Sequence, residues 1–130
     1  MFLIHTVDDG RVPALEYRPA ASLTPRVGLA LRWNDGKLAV NTGANKPVYI
    51  CMTERSEAVD AGTMLPVIRV APDIVFESQF IGSSAGVVPG NKLTIASDGL
   101  RVTATTANGV AEVVSLDGTA AGDKVRVRFS

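Results

Sequence analysis

A single cysteine, Cys51, and a single histidine, His5, are the scarcest chemistry in these 130 residues. One cysteine excludes an intramolecular disulfide and any multi-cysteine zinc site, and one histidine excludes sites that need two. Net charge is lacking as well: 13 basic residues cancel 13 acidic ones. A chain of zero net charge is not steered as a whole toward nucleic acid or an anionic lipid surface. No apolar run approaches the roughly 20 residues of a membrane-spanning helix. Phe2-Leu3-Ile4 is too short for a signal-peptide core, and Asp8-Asp9 follow closely. The expectation is a soluble domain made inside the cell.

What is present is apolar and strand-forming. Hydrophobic residues make up 46% of the chain, enough for one real core at this length and too many for a disordered tail. From Arg26 onward the period is two, the mark of strands. Val27, Leu29, Leu31 and Trp33 alternate with Gly28, Ala30 and Arg32, and Asn34-Asp35-Gly36 supplies a left-handed turn into Lys37–Asn41. Further strands are expected at 46–53, 64–70, 74–80, 92–96, 100–106, 110–116 and 124–129. In the last, Val125, Val127 and Phe129 face one way and Lys124, Arg126 and Arg128 the other. Residues 54–62 are the one plausible helical turn or long loop, and 81–90 form a small-residue loop. Three segments share a small-Gly-polar-apolar lead into a strand: Ala61-Gly62-Thr63-Met64, Pro89-Gly90-Asn91-Lys92 and Ala121-Gly122-Asp123-Lys124. About nine short strands with almost no helix predict an all-β fold, a small partly open barrel or a sandwich, over 26–130.

Residues 1–25 differ. Pro13, Pro19 and Pro25 recur every six residues and disfavour helix, while Phe2, Leu3, Ile4, Val12, Leu15 and Tyr17 provide apolar anchors. This predicts an extended N-terminal arm that lies on a surface, either a partner's or its own domain's. On a partner, such an arm would add a strand to an exposed sheet edge, its anchors filling pockets.

Catalytic and ligand signatures are weak. His5 has only Asp8 and Asp9 near it in sequence, and Cys51 lies between Ile50 and Met52 in an apolar strand, the setting of a buried thiol. Asp8-Asp9 and the Glu54, Glu57, Asp60 cluster lack calcium-loop spacing. Glu16, Asp73, Glu77 and Glu112 could serve acid–base work on a glycoside only beside a sugar platform. Gly82-Ser83-Ser84-Ala85-Gly86 lacks the ending of a phosphate loop. Lys92, Arg101, Lys124, Arg126 and Arg128 could face nucleic acid, but residues 92–130 hold four acidic groups against these five and only Phe129 for stacking. The expectation is therefore no enzyme, no cofactor and no metal.

Four stretches carry a likeness: Gly10–Ala20, Leu38–Met52, Leu65–Val70 and Asp117–Phe129. Together they resemble small head-decoration (cement) proteins of tailed bacteriophages. The resemblance implies a β-rich fold, β-tulip-like in some members, bound in many copies to the outside of the expanded capsid, often as trimers. It implies that residues 1–25 are the arm facing the major capsid protein, with neither nucleic acid nor membrane as partner. The location implied is the capsid exterior, reached from the host cytoplasm during assembly. Alternative readings are a tail or baseplate β-domain and a nucleic-acid- or sugar-binding module.

Overall fold

The computed structural model describes residues 1–129 and is all-β, with no helix among them. Ten strands run in chain order: β1 Leu3–Val7, β2 Glu16–Pro19, β3 Ala30–Asn34, β4 Lys37–Val40, β5 Tyr49–Cys51, β6 Met64–Arg69, β7 Ile74–Gln79, β8 Lys92–Leu93, β9 Ala111–Leu116 and β10 Lys124–Phe129. They form two five-stranded antiparallel sheets. Sheet A has the order β1-β7-β10-β9-β8, and sheet B the order β2-β6-β5-β3-β4. The result is a β-sandwich and not a closed barrel, which decides between the two architectures expected from the sequence.

Turn chemistry places the strands where the sequence puts them. Asp35 (φ 52°) and Gly36 (φ 76°) are both left-handed between the paired Asn34 and Lys37, a two-residue hairpin turn matched to strand twist. The three glycine-led segments also share one geometry, with φ of 92°, 93° and 86° at Gly62, Gly90 and Gly122 just before β6, β8 and β10. A Cβ would touch nothing within 4 Å at any of the three. It is the backbone conformation that requires glycine there.

Sheet B is buried on both faces. Ala30, Ile50 and Ile68 point toward sheet A and join a cluster with Phe76, Phe80, Val125, Val127 and Phe129. Their strand neighbours Leu31, Tyr49, Cys51, Leu65 and Val67 point the other way, into a second cluster with Ala20, Leu23, Leu38 and Val59. That second core exists because sheet B curls: a single bridge, Ala20↔Leu38, joins its two edges, and residues 20–29 and 59 roof it. Double burial explains why Tyr-Ile-Cys in β5 reads as a continuous apolar run and not as an alternation. Sheet A is buried on one face only, and β10 keeps the expected pattern, with Val125, Val127 and Phe129 inside.

Of the two readings for residues 54–62, a helical turn or a long loop, the structure has the loop, tied by the Arg55 N–H to the Pro25 carbonyl and the Val59 N–H to the Leu23 carbonyl. One expectation needs correction: residues 100–106 form no regular strand. They pair irregularly with 94–96 through Thr103 N–H to Thr94 O, Thr94 N–H to Thr105 O and Ala96 N–H to Arg101 O. Side chains compete with the ladder there: Thr103 Oγ1 accepts from the Thr105 N–H at 3.0 Å, and Asp98 Oδ1 from the Leu100 N–H at 2.9 Å.

The N-terminal segment is part of the sandwich. β1 pairs with β7, and β2 pairs with β6 in the other sheet, so residues 1–20 supply one edge strand to each. Phe2 is 1% exposed and meets Phe129 edge-to-face at 5.4 Å. Its N–H donates to the Gly28 carbonyl at 2.9 Å. Gly28 (φ 84°) has no room for a side chain, because a Cβ would lie 2.5 Å from Met1 Cβ and 2.8 Å from Phe2 N. Phe2→Ala is expected to cost about 3–5 kcal/mol of unfolding free energy, the usual range for a buried phenylalanine. A urea titration checks this; a loss below about 1 kcal/mol would mean that the segment does not hold this docked position.

Candidate interaction surface

Of the six anchors expected in residues 1–25, the structure separates the buried from the free. Phe2 is a core residue and cannot reach a partner while the fold is intact, and Ile4 is half-buried against the same cluster. Leu3, Val12, Leu15 and Tyr17 are exposed. Val12 is 88% exposed on the loop between β1 and β2, where Gly10 (φ 73°) and the Arg11 N–H bonded to Asp9 Oδ1 set the turn. That loop passes from the edge of sheet A to the edge of sheet B. It borders a shallow cleft walled by Val7, Pro13, Arg69, Ala71 and Ile74.

Register extends the patch beyond the arm. Tyr17 lies opposite Pro66, and Pro19 opposite Met64. The Met52 N–H, one residue past β5, donates to the Pro66 carbonyl at 3.0 Å. Tyr17, Pro66 and Met52 thus form a row across sheet B, with Pro19 and Met64 in the next row. Alternation puts all five on the face shared with Ile50 and Ile68. Sheet A covers Ile50 and Ile68, but it leaves Tyr17 57%, Met64 52% and Met52 37% exposed. Met52, Met64 and Pro66 were not among the residues singled out from sequence. Two methionines on opposite sides of a polar loop give no signal until pairing brings them to the same rows.

On the opposite face of sheet B, an ionic cluster closes the mouth of the second core. Glu16 Oε1 takes hydrogen bonds from Arg18 Nη2 at 2.6 Å, Arg69 Nη2 at 3.1 Å and the Tyr49 hydroxyl at 3.2 Å. Arg69 Nε adds a bond to Oε2 at 3.2 Å, and its guanidinium lies 5.2 Å from the centre of the Tyr49 ring. The ring of Tyr49 is buried while its hydroxyl meets this cluster, so the tyrosine joins the apolar core to the ionic rim. The hydrogen bonds from Arg69, helped by Tyr49, hold the Glu16 carboxyl below its ordinary value of 4.5.

The outer face of sheet A is polar and internally paired. Arg126 bonds Asp117 at 2.6 Å and Glu77 at 3.1 Å, Lys124 lies 3.8 Å from Glu77, and Arg128 reaches Asp8 at 3.3 Å. The hydrogen bond from Arg126 lowers the Asp117 carboxyl below its ordinary value of 3.8. The basic residues proposed above as a nucleic-acid face on β10 are therefore engaged by carboxylates of their own sheet. His5 sits on this face with Nδ1 3.7 Å from Glu77.

The remaining candidates have structural surroundings. Cys51 is buried, its thiol pushed up by burial and bonded to the Thr53 carbonyl at 3.3 Å. Ser84, in the small-residue loop, is buried, with its N–H on the Thr119 carbonyl and its hydroxyl on Gly82 O. Among the described residues no three His, Cys, Asp or Glu side chains cluster as a metal site would need. Comparison with protein-family models and with curated protein sequences finds no match.

Glu16 and Asp117 make the same statement about acid, as does Asp98, whose carboxyl, against the opposing effect of burial, is held below its ordinary value by the Leu100 N–H and Arg101. A carboxyl whose folded pKa lies below its unfolded value contributes stability above the unfolded value, and loses it as pH falls through the folded one. Stability is expected to hold from neutral pH to about pH 5 and to decline below about pH 4. Arg69→Met should flatten part of that decline by relaxing Glu16. Urea midpoints against pH provide the check, and identical acid limbs in the two proteins would show that Arg69 does not hold Glu16.

Proposed function

We propose that this protein is a structural component of a tailed-phage head, a decoration protein that binds the outer surface of the mature capsid in many copies. In this reading the sandwich is a β-tulip-like head, the copies assemble as homotrimers, and the partner is the major capsid protein. The observation that carries the reading is the Asp8–Leu15 loop. Val12 and Leu15 stand exposed on a segment anchored at both ends by strands in different sheets. Exposed apolar side chains on a fixed loop are suited to contact with another protein, because little ordering entropy remains to be lost on binding. The resemblance of Gly10–Ala20 and Asp117–Phe129 to cement proteins supports the same assignment. Capsid stabilisation needs no more than this, since weak contacts repeated over a symmetric shell add up to a large resistance to internal DNA pressure.

The folded position of residues 1–25 changes the mechanism expected for them. β1 and β2 already pair within the chain, so the arm engages the shell with its loop and outward side chains and does not add a free strand. Deleting residues 1–25 would remove Phe2 and two edge strands, so point variants are the cleaner probe. Purified protein is expected to co-sediment saturably, at hundreds of copies per particle, with expanded capsids that lack it. Val12→Glu combined with Leu15→Glu should weaken binding at least tenfold without altering thermal unfolding. Absence of binding by the intact protein would move the tail or baseplate reading to the front.

A further inference from the structure

We infer that Asn108 is a site of spontaneous self-modification, where the chain converts a carboxamide to aspartate and isoaspartate through a cyclic imide formed with Gly109. The inference stands apart from the capsid reading and needs no partner.

Of the five asparagines in the sequence, Asn108 is the one followed by glycine. Ring closure brings the next residue's peptide nitrogen to the side-chain Cγ, and a glycine leaves that nitrogen unshielded. The other four are less well placed. Asn41 is buried and donates to the Asn45 carbonyl at 2.6 Å. Asn45 donates to the Thr42 carbonyl at 3.1 Å, and Asn91 Oδ1 accepts from the Val88 N–H at 3.0 Å. Asn34 is exposed, but Asp35 follows it and its side chain flanks the nitrogen. Four Asp-Gly pairs, at 9–10, 35–36, 98–99 and 117–118, share the glycine. A carboxylate is a far poorer acyl acceptor than a carboxamide, so these close more slowly. Three of them are also held: Asp9 by the Arg11 N–H, Asp98 by the Leu100 N–H and Arg101, and Asp117 by Arg126.

The turn at Asn108 is exposed and lightly fastened. Residues 104–108 all face solvent. Asn108 is left-handed, with φ 55°, a conformation asparagine tolerates better than most residues. The Gly109 N–H donates to the Thr106 carbonyl at 3.3 Å, long for a backbone bond. Bringing that nitrogen to Cγ rotates the 108–109 peptide, and the bond such a rotation breaks is this long one. Local opening of that kind is the least costly motion a folded chain makes. The fold nevertheless requires the glycine: a Cβ on Gly109 would collide with the Lys92 carbonyl and lie 2.7 Å from the Leu93 nitrogen.

In the reaction the Gly109 nitrogen gives up its proton and bonds to Asn108 Cγ, the Cγ–Nδ2 bond breaks, and ammonia leaves with that proton. Water then opens the imide. Addition at Cγ gives aspartate on the original main chain. Addition at the Asn108 carbonyl carbon leaves the chain running through Cβ and Cγ, as isoaspartate. One water is consumed, one ammonia is released and one negative charge is gained. Isoaspartate lengthens the main chain by one atom beside a fixed point. Gly109 is wedged against Lys92, and the Val110 N–H donates to the Leu93 carbonyl at 3.0 Å, with both side chains in the core around Phe129. β8 is two residues long and forms the edge of sheet A, so it is the element that gives way.

Ageing the full chain in warm, mildly alkaline buffer tests this. Residues 102–124 form one tryptic peptide, and Asn108 is its only side-chain amide. That peptide should gain one mass unit at least tenfold faster than any peptide holding another asparagine. Electron-transfer fragmentation should find isoaspartate as the larger product. Asn108→Gly, which keeps the left-handed turn, should abolish the gain. The aged protein should unfold at a lower temperature than Asn108→Asp, which carries the charge on an unaltered main chain. Earlier loss from another asparagine overturns the site. So does an Asn108 that stays intact in the folded protein over the time in which the free 102–124 peptide is converted. An isoaspartate-rich sample that melts with Asn108→Asp overturns the effect on β8.

Discussion

Phe2 passes over Gly28 into the aromatic group of Phe76 and Phe129, and from there the chain runs as β1 on sheet A and then as β2 on sheet B. This crossing ties the edge of one sheet to the edge of the other, beside the short connection from β6 to β7 and the Gly43↔Ile95 bridge. It depends on a bare backbone at Gly28, because any Cβ there would collide with Met1 and Phe2. With the crossing in place, β7 and β6 are interior strands. Without it, β7 and β6 would become bare edges, and the cluster around Phe129 would lose an aromatic wall. The same docking fixes where the 8–15 loop stands, so the exposure of Val12 and Leu15 follows from the burial of Phe2.

The second core has its own logic. A five-stranded sheet of short strands can bury both faces only if one face finds cover besides sheet A. Here the cover is the sheet itself, curled until Ala20 meets Leu38, plus the irregular 54–63 segment carrying Val59. Curling leaves an open mouth, and Tyr49 fills it with its ring inward and its hydroxyl among Glu16, Arg18 and Arg69. Glu16 and Arg18 belong to β2, so this closure again depends on the N-terminal crossing. Sheet A has no comparable need and spends its outer face on cross-strand ion pairs. Partly exposed pairs of this sort add little stability, but they align the strands.

Much of this fold was legible in the sequence because its punctuation is local. Asn34-Asp35-Gly36 and the three glycine-led segments determine backbone conformation within a few residues, and the hairpin and strand starts fall where they indicate. β10 was legible for the same reason: its alternation needs no knowledge of its partners. The 92–106 region was harder, since Asp98 and Thr103 side chains bond neighbouring N–H groups and break what alternation predicts. Residues 1–25 were legible as extended and apolar, but not as core. The two settings open to such an arm, a partner's surface or its own, differ only in long-range contacts such as Phe2 with Phe129. Curvature in sheet B was also hidden, because continuous apolar strands fit a sandwich and a barrel equally.

The candidate surface follows the same division. Val12, Leu15 and Tyr17 could be named from composition and proline spacing, since a proline-broken segment cannot bury every apolar residue it carries. Met52, Pro66 and Met64 could not, because they join Tyr17 only through the pairing of β2 with β6 and the bond from Met52 to Pro66. That juxtaposition has a physical reason. Glu16 and Arg18 must face the mouth of the second core to meet Tyr49 and Arg69, and alternation along a strand then obliges Tyr17 and Pro19 to face the other way. The polar closure and the apolar rows are thus two faces of one constraint. Moving β2 by one residue would turn Glu16 and Arg18 away from Tyr49 and Arg69 and put Tyr17 and Pro19 at the mouth, so the exposed apolar surface is a consequence of how the chain seals its second core.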